Sequence, residues 1–314
     1  MWKKNQIESV KQCGMCGSGH SKELVRRPDD LPLHLCLDCG FAYLVQRPNS
    51  RALADYYDSG YFQDSQTYQD YFNYAQAIVD LNYCPRLHRL GPLFHNWSGK
   101  RVLDIGCAAA GTLAVLKRKG AIVTGIEISE DACRVAEDQF GLTLINDSLE
   151  NVKLPAEGYD VVLMFDVLEH LQYPGTALDQ IAVSLVEHGY LAITVPNFNR
   201  YFIEGPGWMG LQGYWEHLNY FTSDVLCTDL KKRGFDIVEH HSYTNRPSSG
   251  HASDPRTFRA WMAKLRHSHP VMGAVLRSAR KMKFKIMGPP ECLRLPHQEG
   301  MDLFVLARKS ANTP

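Results

Sequence analysis

Two carboxylates, two histidines and four paired cysteines carry the chemistry this sequence offers. Asp104 follows the apolar residues Val102 and Leu103, and Glu127 closes a second apolar run of Ile122, Val123 and Ile126. An acid in the first turn repels a pyrophosphate and suits a ligand that carries an ammonium group. An acid at the end of the second strand can accept hydrogen bonds from both hydroxyls of a ribose. His217, with Glu216 before it and Tyr214 nearby, is a side chain able to take a proton, oriented or charge-tuned by its neighbours. His170 follows Asp166 and Glu169, whose i, i+3 spacing would bring three polar groups near one point. Cys13 with Cys16 and Cys36 with Cys39 form two Cys-x-x-Cys pairs, each followed by a glycine. Four thiolates close a tetrahedral shell around zinc and leave no open position, which predicts a structural zinc ribbon. A redox Cys-x-x-Cys is the alternative.

Positioning these residues takes a strand, a tight turn of small residues (Gly106 to Gly111), a helix stopped by Gly120, and a second strand. This is one βαβ unit. Helical spacing over 131–139 and a strand over 142–146 follow, then strand 161–165, helix 174–186 and strand 190–195. Polar groups gather past the C-terminal ends of these strands, where open α/β sheets bind ligands. Residues 197–222 form a long aromatic loop, helix 223–233 and strand 235–243 come next, and 301–307 predicts an antiparallel strand at the sheet's edge. Apolar spacing in 70–90 suggests one helix ending near Pro85 or continuing to Leu90.

Asp104, Gly106, Cys107, Ala108, Ala110 and Gly111, with Glu127 downstream, resemble motifs I and II of the class I S-adenosylmethionine-dependent methyltransferases. Ala108 and Ala110 stand where that family carries glycines. The resemblance spans residues 99–243. It implies a Rossmann-like seven-stranded α/β sheet, with the 106–111 turn at the methionine part of the cofactor, Glu127 and Ile128 at the ribose, Asp147 and Ser148 at the adenine, and Phe165 and Asp166 alongside. Asp147 or Ser148 would equally serve as a helix N-cap. Tyr57, Tyr61 and Phe62 would either cap the cofactor pocket or pack a helix on the sheet. The Tyr-x-Glu-His-x-x-Tyr-Phe run through His217 resembles sugar methyltransferases with an N-terminal zinc module, where this histidine lies at the acceptor. Asp166, Glu169 and His170 resemble a divalent-metal motif of quinone O-methyltransferases, or merely brace the loop.

The domains expected are a zinc ribbon (1–50), a helical linker (51–98), the methyltransferase domain (99–244 with 298–310) and a helical insertion (245–297). That insertion holds eleven Lys or Arg against Asp254 and Glu291. It reads as a solvated face, a lid over a phosphorylated substrate, or a surface for anionic lipid. Net charge is zero and the ribbon offsets Lys22, Arg26 and Arg27 with Glu23, Asp29 and Asp30, so no nucleic-acid partner is expected. No stretch approaches ~18 consecutive apolar residues, the N-terminus lacks a signal-type core, and a cytoplasmic location is expected. The function expected is methyl transfer to a hydroxyl or carbon of a sugar, glycan or natural product, with His217 as base. RNA methylation, a metal-assisted O-methyltransferase and a non-catalytic cofactor binder are the alternatives.

Overall fold

The computed structural model describes residues 2–57, 75–80, 84–90, 96–244, 293–295 and 300–311. Two compact units emerge, one of Met1–Tyr243 with Leu295–Pro314, the other Thr244–Arg294. Most of the second unit, and with it the reading of 245–297 as a basic helical surface, lies outside the described residues.

The first unit opens with β1 (Ile7–Ser9), β2 (Ser21–Arg26), β3 (Pro32–Cys36), β4 (Ala42–Leu44) and β5 (Gln46–Pro48). The β2–β3 hairpin occupies the interval between the cysteine pairs, as their spacing suggests. Helix Ser50–Tyr56 follows, capped by the Asn49 side chain on the Ala52 N–H. Residues 75–80 are helical, 81–83 lie outside the described residues, and Cys84 is extended, so Pro85 opens a short second helix, Pro85–His88. Proline suits that first helical position because its missing N–H would be unpaired there anyway.

The main sheet is built from β6 (Arg101–Ile105), β7 (Ile122–Glu127), β8 (Ile145–Asn146), β9 (Tyr159–Phe165), β10 (Leu185–Pro196), β12 (Phe235–Thr244) and β14 (Asp302–Lys309). Between these lie β11 (Asn219–Tyr220) and β13 (Leu293–Leu295). With β13 beside β12, the sheet's strands run in the order β13-β12-β14-β10-β9-β6-β7-β8. β6 through β10 pair in parallel, and β14 is antiparallel to both neighbours. The Rossmann-like α/β expectation therefore holds. The last strand, however, is interior rather than at the edge, with Leu303 to Ala307 buried between β10 and β12. An all-apolar run is the mark of a strand covered on both faces, whichever direction it takes.

Flanking helices follow their local signals. Ser129 caps helix Glu130–Phe140, and Gly141, at φ +59°, ends it. That ending draws the Leu142 N–H back to the Ala136 carbonyl, so the third strand shrinks from 142–146 to Ile145–Asn146. Strand β10 begins earlier than expected, at Leu185, with a register shift before Tyr190. The 197–222 stretch is ordered into helices Asn199–Glu204 and Met209–Gln212 and strand β11. Phe198, Trp208 and Leu218 from this stretch are buried with Leu33 and Leu44 of the cysteine ribbon. β11 adds to the ribbon's sheet beside β4, giving the order β11-β4-β3-β2.

Candidate active site

The sheet's parallel strands reverse direction of growth at β6: β7 and β8 extend to one side, β9 and β10 to the other. The crevice at the carboxyl ends of β6 and β9 is where such sheets hold ligands. Asp104 is 4% exposed, near the end of β6, and burial raises its carboxyl to about 7 despite the attraction of Arg86, with Glu127 adding to the rise. Two buried carboxylates at one place call for a cation, which matches a cofactor bearing ammonium and sulfonium groups.

Glu127 is already committed to the turn. Its two oxygens accept the Ala108 N–H at 2.8 Å and the Ser129 N–H at 2.9 Å, while burial raises its pKa. Each oxygen keeps a second lone pair for a ribose hydroxyl. Ala108 and Ala110 sit at φ +49° and +56°, so the turn keeps left-handed conformations that glycine would take freely. Gly106 has no such latitude: a Cβ there would meet Val167 Cγ2 at 2.4 Å. At Gly111 a Cβ would meet the Ala75 backbone at 2.8 Å. Cys107 is buried in the same turn. Asn146 ties β8 to this end of the sheet by donating to the Glu127 and Ile128 carbonyls. Asp147 Oδ1 accepts from the Ser148 N–H and from Asn151 Nδ2, bracing the turn after β8, where the described residues form no helix for it to cap before β9.

Beyond β9, Phe165 is buried beneath the Arg86 guanidinium, and Asp166 holds φ +61°. Its oxygens accept from Thr194 at 2.7 Å and from Arg86 at 2.8 Å. Asp166 is thereby engaged apart from the metal-like grouping, which instead gathers Glu169, His170 and His217 with ligand atoms all within 4.8 Å of one another. Glu169 is 1% exposed, burial and then the nearby Asp166 push its pKa well up, and its Oε2 has no hydrogen-bond partner among the described residues.

His217 is buried, its ring stacked on Tyr214 (centroids 4.7 Å apart, 5° between planes) and edge-on to His170 at 4.8 Å. Burial above all, with Arg27 and His170 adding to it, holds its pKa well below the usual 6.5. Burial likewise lowers His170 to about 4. Both rings are therefore neutral at pH 7. Glu216 sits elsewhere than its adjacency suggests. Its carboxylate accepts from the Tyr56 hydroxyl, and it reaches the histidines through its carbonyl, which meets His170 Nδ1 at 3.2 Å. Tyr57 leans edge-on toward His170 at 6.2 Å. Tyr61 and Phe62 lie outside the described residues.

In the ribbon, Cys13 Sγ stands 3.6 Å from Cys39 Sγ, and Cys16 Sγ 3.6 Å from Cys36 Sγ. All four sulfurs lie within 4.8 Å of one another. These separations are too long for disulfides and match the roughly 3.8 Å sulfur–sulfur spacing of a tetrahedron with Zn–S bonds of about 2.3 Å. Gly17 and Gly40, both at φ +75°, turn the two knuckles.

Arg27, Arg86 and Tyr56 are the participants that sequence reasoning did not single out. Arg27 reads there as one charge in a balanced ribbon, and nothing in the local pattern of Arg86 or Tyr56 marks a long-range partner.

A sheet of this order with a carboxylate pair at its switch point is the class I methyltransferase architecture. The chain belongs to the methyltransferase-domain family, whose model matches residues 75–240. Among curated proteins it resembles the ubiquinone biosynthesis O-methyltransferase of Proteus mirabilis (strain HI4320), 31% identical over 129 residues, which cover 36% of this chain and 52% of that protein. The same enzyme of Cupriavidus pinatubonensis is 27% identical over 183 residues, 52% of this chain and 74% of that protein. The chain thus spans about half the length of the first of these relatives. In fold it resembles the magnesium protoporphyrin IX methyltransferase of Synechocystis PCC 6803, solved with bound S-adenosylhomocysteine (TM-score 0.50, 15% identity, 83% of this chain and 100% of that one). An S-adenosylmethionine-dependent methyltransferase of Thermotoga maritima gives TM-score 0.50 at 15% identity, covering 80% and 98%. Among the described residues no helix is long and apolar enough to cross a membrane.

Proposed function

We propose that this chain transfers a methyl group from S-adenosylmethionine to a hydroxyl or carbon of a sugar or natural-product acceptor, with His217 as general base and a structural zinc on Cys13, Cys16, Cys36 and Cys39. The buried, neutral His217, held by Tyr214 and His170 beside the sheet's switch point, carries the reading. S-adenosylmethionine would supply an electrophilic methyl carbon. Asp104 binds the ammonium end, Glu127 the ribose hydroxyls, and Asp147 with Ser148 the adenine edge. His217 takes the proton that the acceptor loses as its oxygen or carbon forms the new bond. Tyr214 keeps the ring plane fixed, and the apolar surroundings exclude water that would compete for the methyl group.

A second reading rests on the orphaned Glu169 oxygen. Glu169, His170 and His217 would together hold a divalent cation that acidifies the acceptor hydroxyl, as befits relatives named O-methyltransferases. Single-turnover methyl transfer to nucleotide sugars and to a catechol, with and without added magnesium, separates the two. Transfer to a sugar independent of magnesium supports the base. Transfer to the catechol alone, abolished without magnesium, replaces it with the metal reading.

A further inference from the structure

His217 lies on the 214–220 run, which is held from one side by the 168–171 turn, whose carbonyls accept from the Leu218 N–H and Asn219 Nδ2, and from the other by the cysteine ribbon. The β2–β3 turn carries Arg27, 2% exposed, with its guanidinium in a fork on Asp29. The remaining donors all point across to the loop. Nη1 donates to the His217 carbonyl at 2.8 Å, the Tyr214 carbonyl at 3.3 Å and the Tyr220 hydroxyl at 3.2 Å. Nη2 donates to the Trp215 carbonyl at 3.1 Å, and the guanidinium lies over the Trp215 ring at 5.6 Å. One planar cation therefore gathers three carbonyls of a four-residue segment, a task that needs several fixed N–H donors and that no lysine can reproduce. Beside it, the Leu44 N–H donates to the Leu218 carbonyl and β11 pairs with β4.

We propose that Arg27 is the positioning residue for His217, and that the cysteine ribbon is thereby a working part of the active site. The proposal rests on the reading of His217 as the base, but its test does not use turnover. Arg27 touches the peptide groups on either side of the Tyr214–His217 stack, so it sets the ring's plane through the backbone.

The test is nitrogen-15 NMR of the full chain labelled at histidine, with His217 assigned through His217→Gln. In the native protein the His217 ring protons should be displaced by the Tyr214 ring current. In Arg27→Gln the displacement should vanish, while affinity for S-adenosylhomocysteine, measured by calorimetry, stays within about twofold. Arg27→Lys, which keeps the charge beside Asp29, should lose the ring-current displacement as well, and it decides the matter if Arg27→Gln does not fold. His217 signals that stay put in a folded Arg27 variant overturn the proposal. So does a parallel collapse of S-adenosylhomocysteine affinity, which would mark general loosening. Exposed Lys22 on the same hairpin is the control, and Lys22→Ala should leave every reading unchanged. If His217→Ala retains methyl transfer, the base assignment fails by itself, whatever the spectra of the Arg27 variants show.

Discussion

At the scale of single residues, the site works through what burial does to charge. His217 is depressed below the ordinary histidine range, so it is ready to accept a proton at pH 7. Its acid limb in the rate profile should fall below pH 6.5, with activity lost as pH drops and the ring protonates. His217→Ala should lower single-turnover transfer by roughly 10²–10⁴ and erase that limb while leaving cofactor affinity nearly intact. Asp104 shifts the other way, to about 7, because its ionised form is penalised by burial. An ammonium-bearing cofactor needs the ionised form. Its affinity should therefore rise with pH up to about 7 and then level, with proton release visible by calorimetry in buffers of different ionisation enthalpy. Glu127→Ala should weaken cofactor binding by about 1–3 kcal/mol, from lost charged hydrogen bonds. The identities of these residues were legible in the sequence, because acids at strand ends and a histidine in an aromatic loop carry their own signal. Their protonation was not, since it depends on how many apolar neighbours exclude water.

At the scale of elements, two details matter most. The motif turn carries alanines in left-handed conformation, at a cost of about 1–2 kcal/mol each. Replacing half-buried Ala108 with glycine should raise stability by about 1 kcal/mol, read as a higher denaturant midpoint with an unchanged slope. The second detail is the ribbon, whose sheet continues into β11. With zinc on its four cysteines, as proposed, a small module of this kind depends on the metal for folding. Stripping zinc, or Cys36→Ser, should thus depress turnover as well as melting temperature, because the loop that presents His217 loses its template. Retention of full turnover by metal-free protein would show the ribbon to be a bystander.

At the scale of the molecule, the closing strand is the decisive feature. β14 enters antiparallel between β10 and β12, tying residues 300–309 into the middle of the sheet. Leu306 is fully buried there, and Leu306→Ala should cost about 2–5 kcal/mol in a urea titration, more than a half-covered edge residue would. The β14 backbone also shapes the site's rim. Just ahead of the strand, the Gly300 carbonyl accepts from Asn197 Nδ2 and the Met301 carbonyl from the Asn197 N–H, fixing the start of the loop.

By itself the sequence determined the βαβ unit, the alternation of strands and helices, the four-cysteine cage and the roster of acids and histidines. Each of these is written in local periodicity or in residue type at fixed spacing, which the chain expresses without reference to distant segments. Only the tertiary structure decided that the last strand lies inside the sheet, because an apolar run states that it is covered but not by which neighbours. Only it gave Asp166 to Arg86 and Thr194, placed Glu169 with the two histidines, and set Arg27 under the His217 loop. Those pairings join residues that are far apart along the chain or that share no local pattern. They arise from packing a ribbon, a loop and a sheet edge together, where each buried polar group must find its partner in whatever segment the fold brings to it.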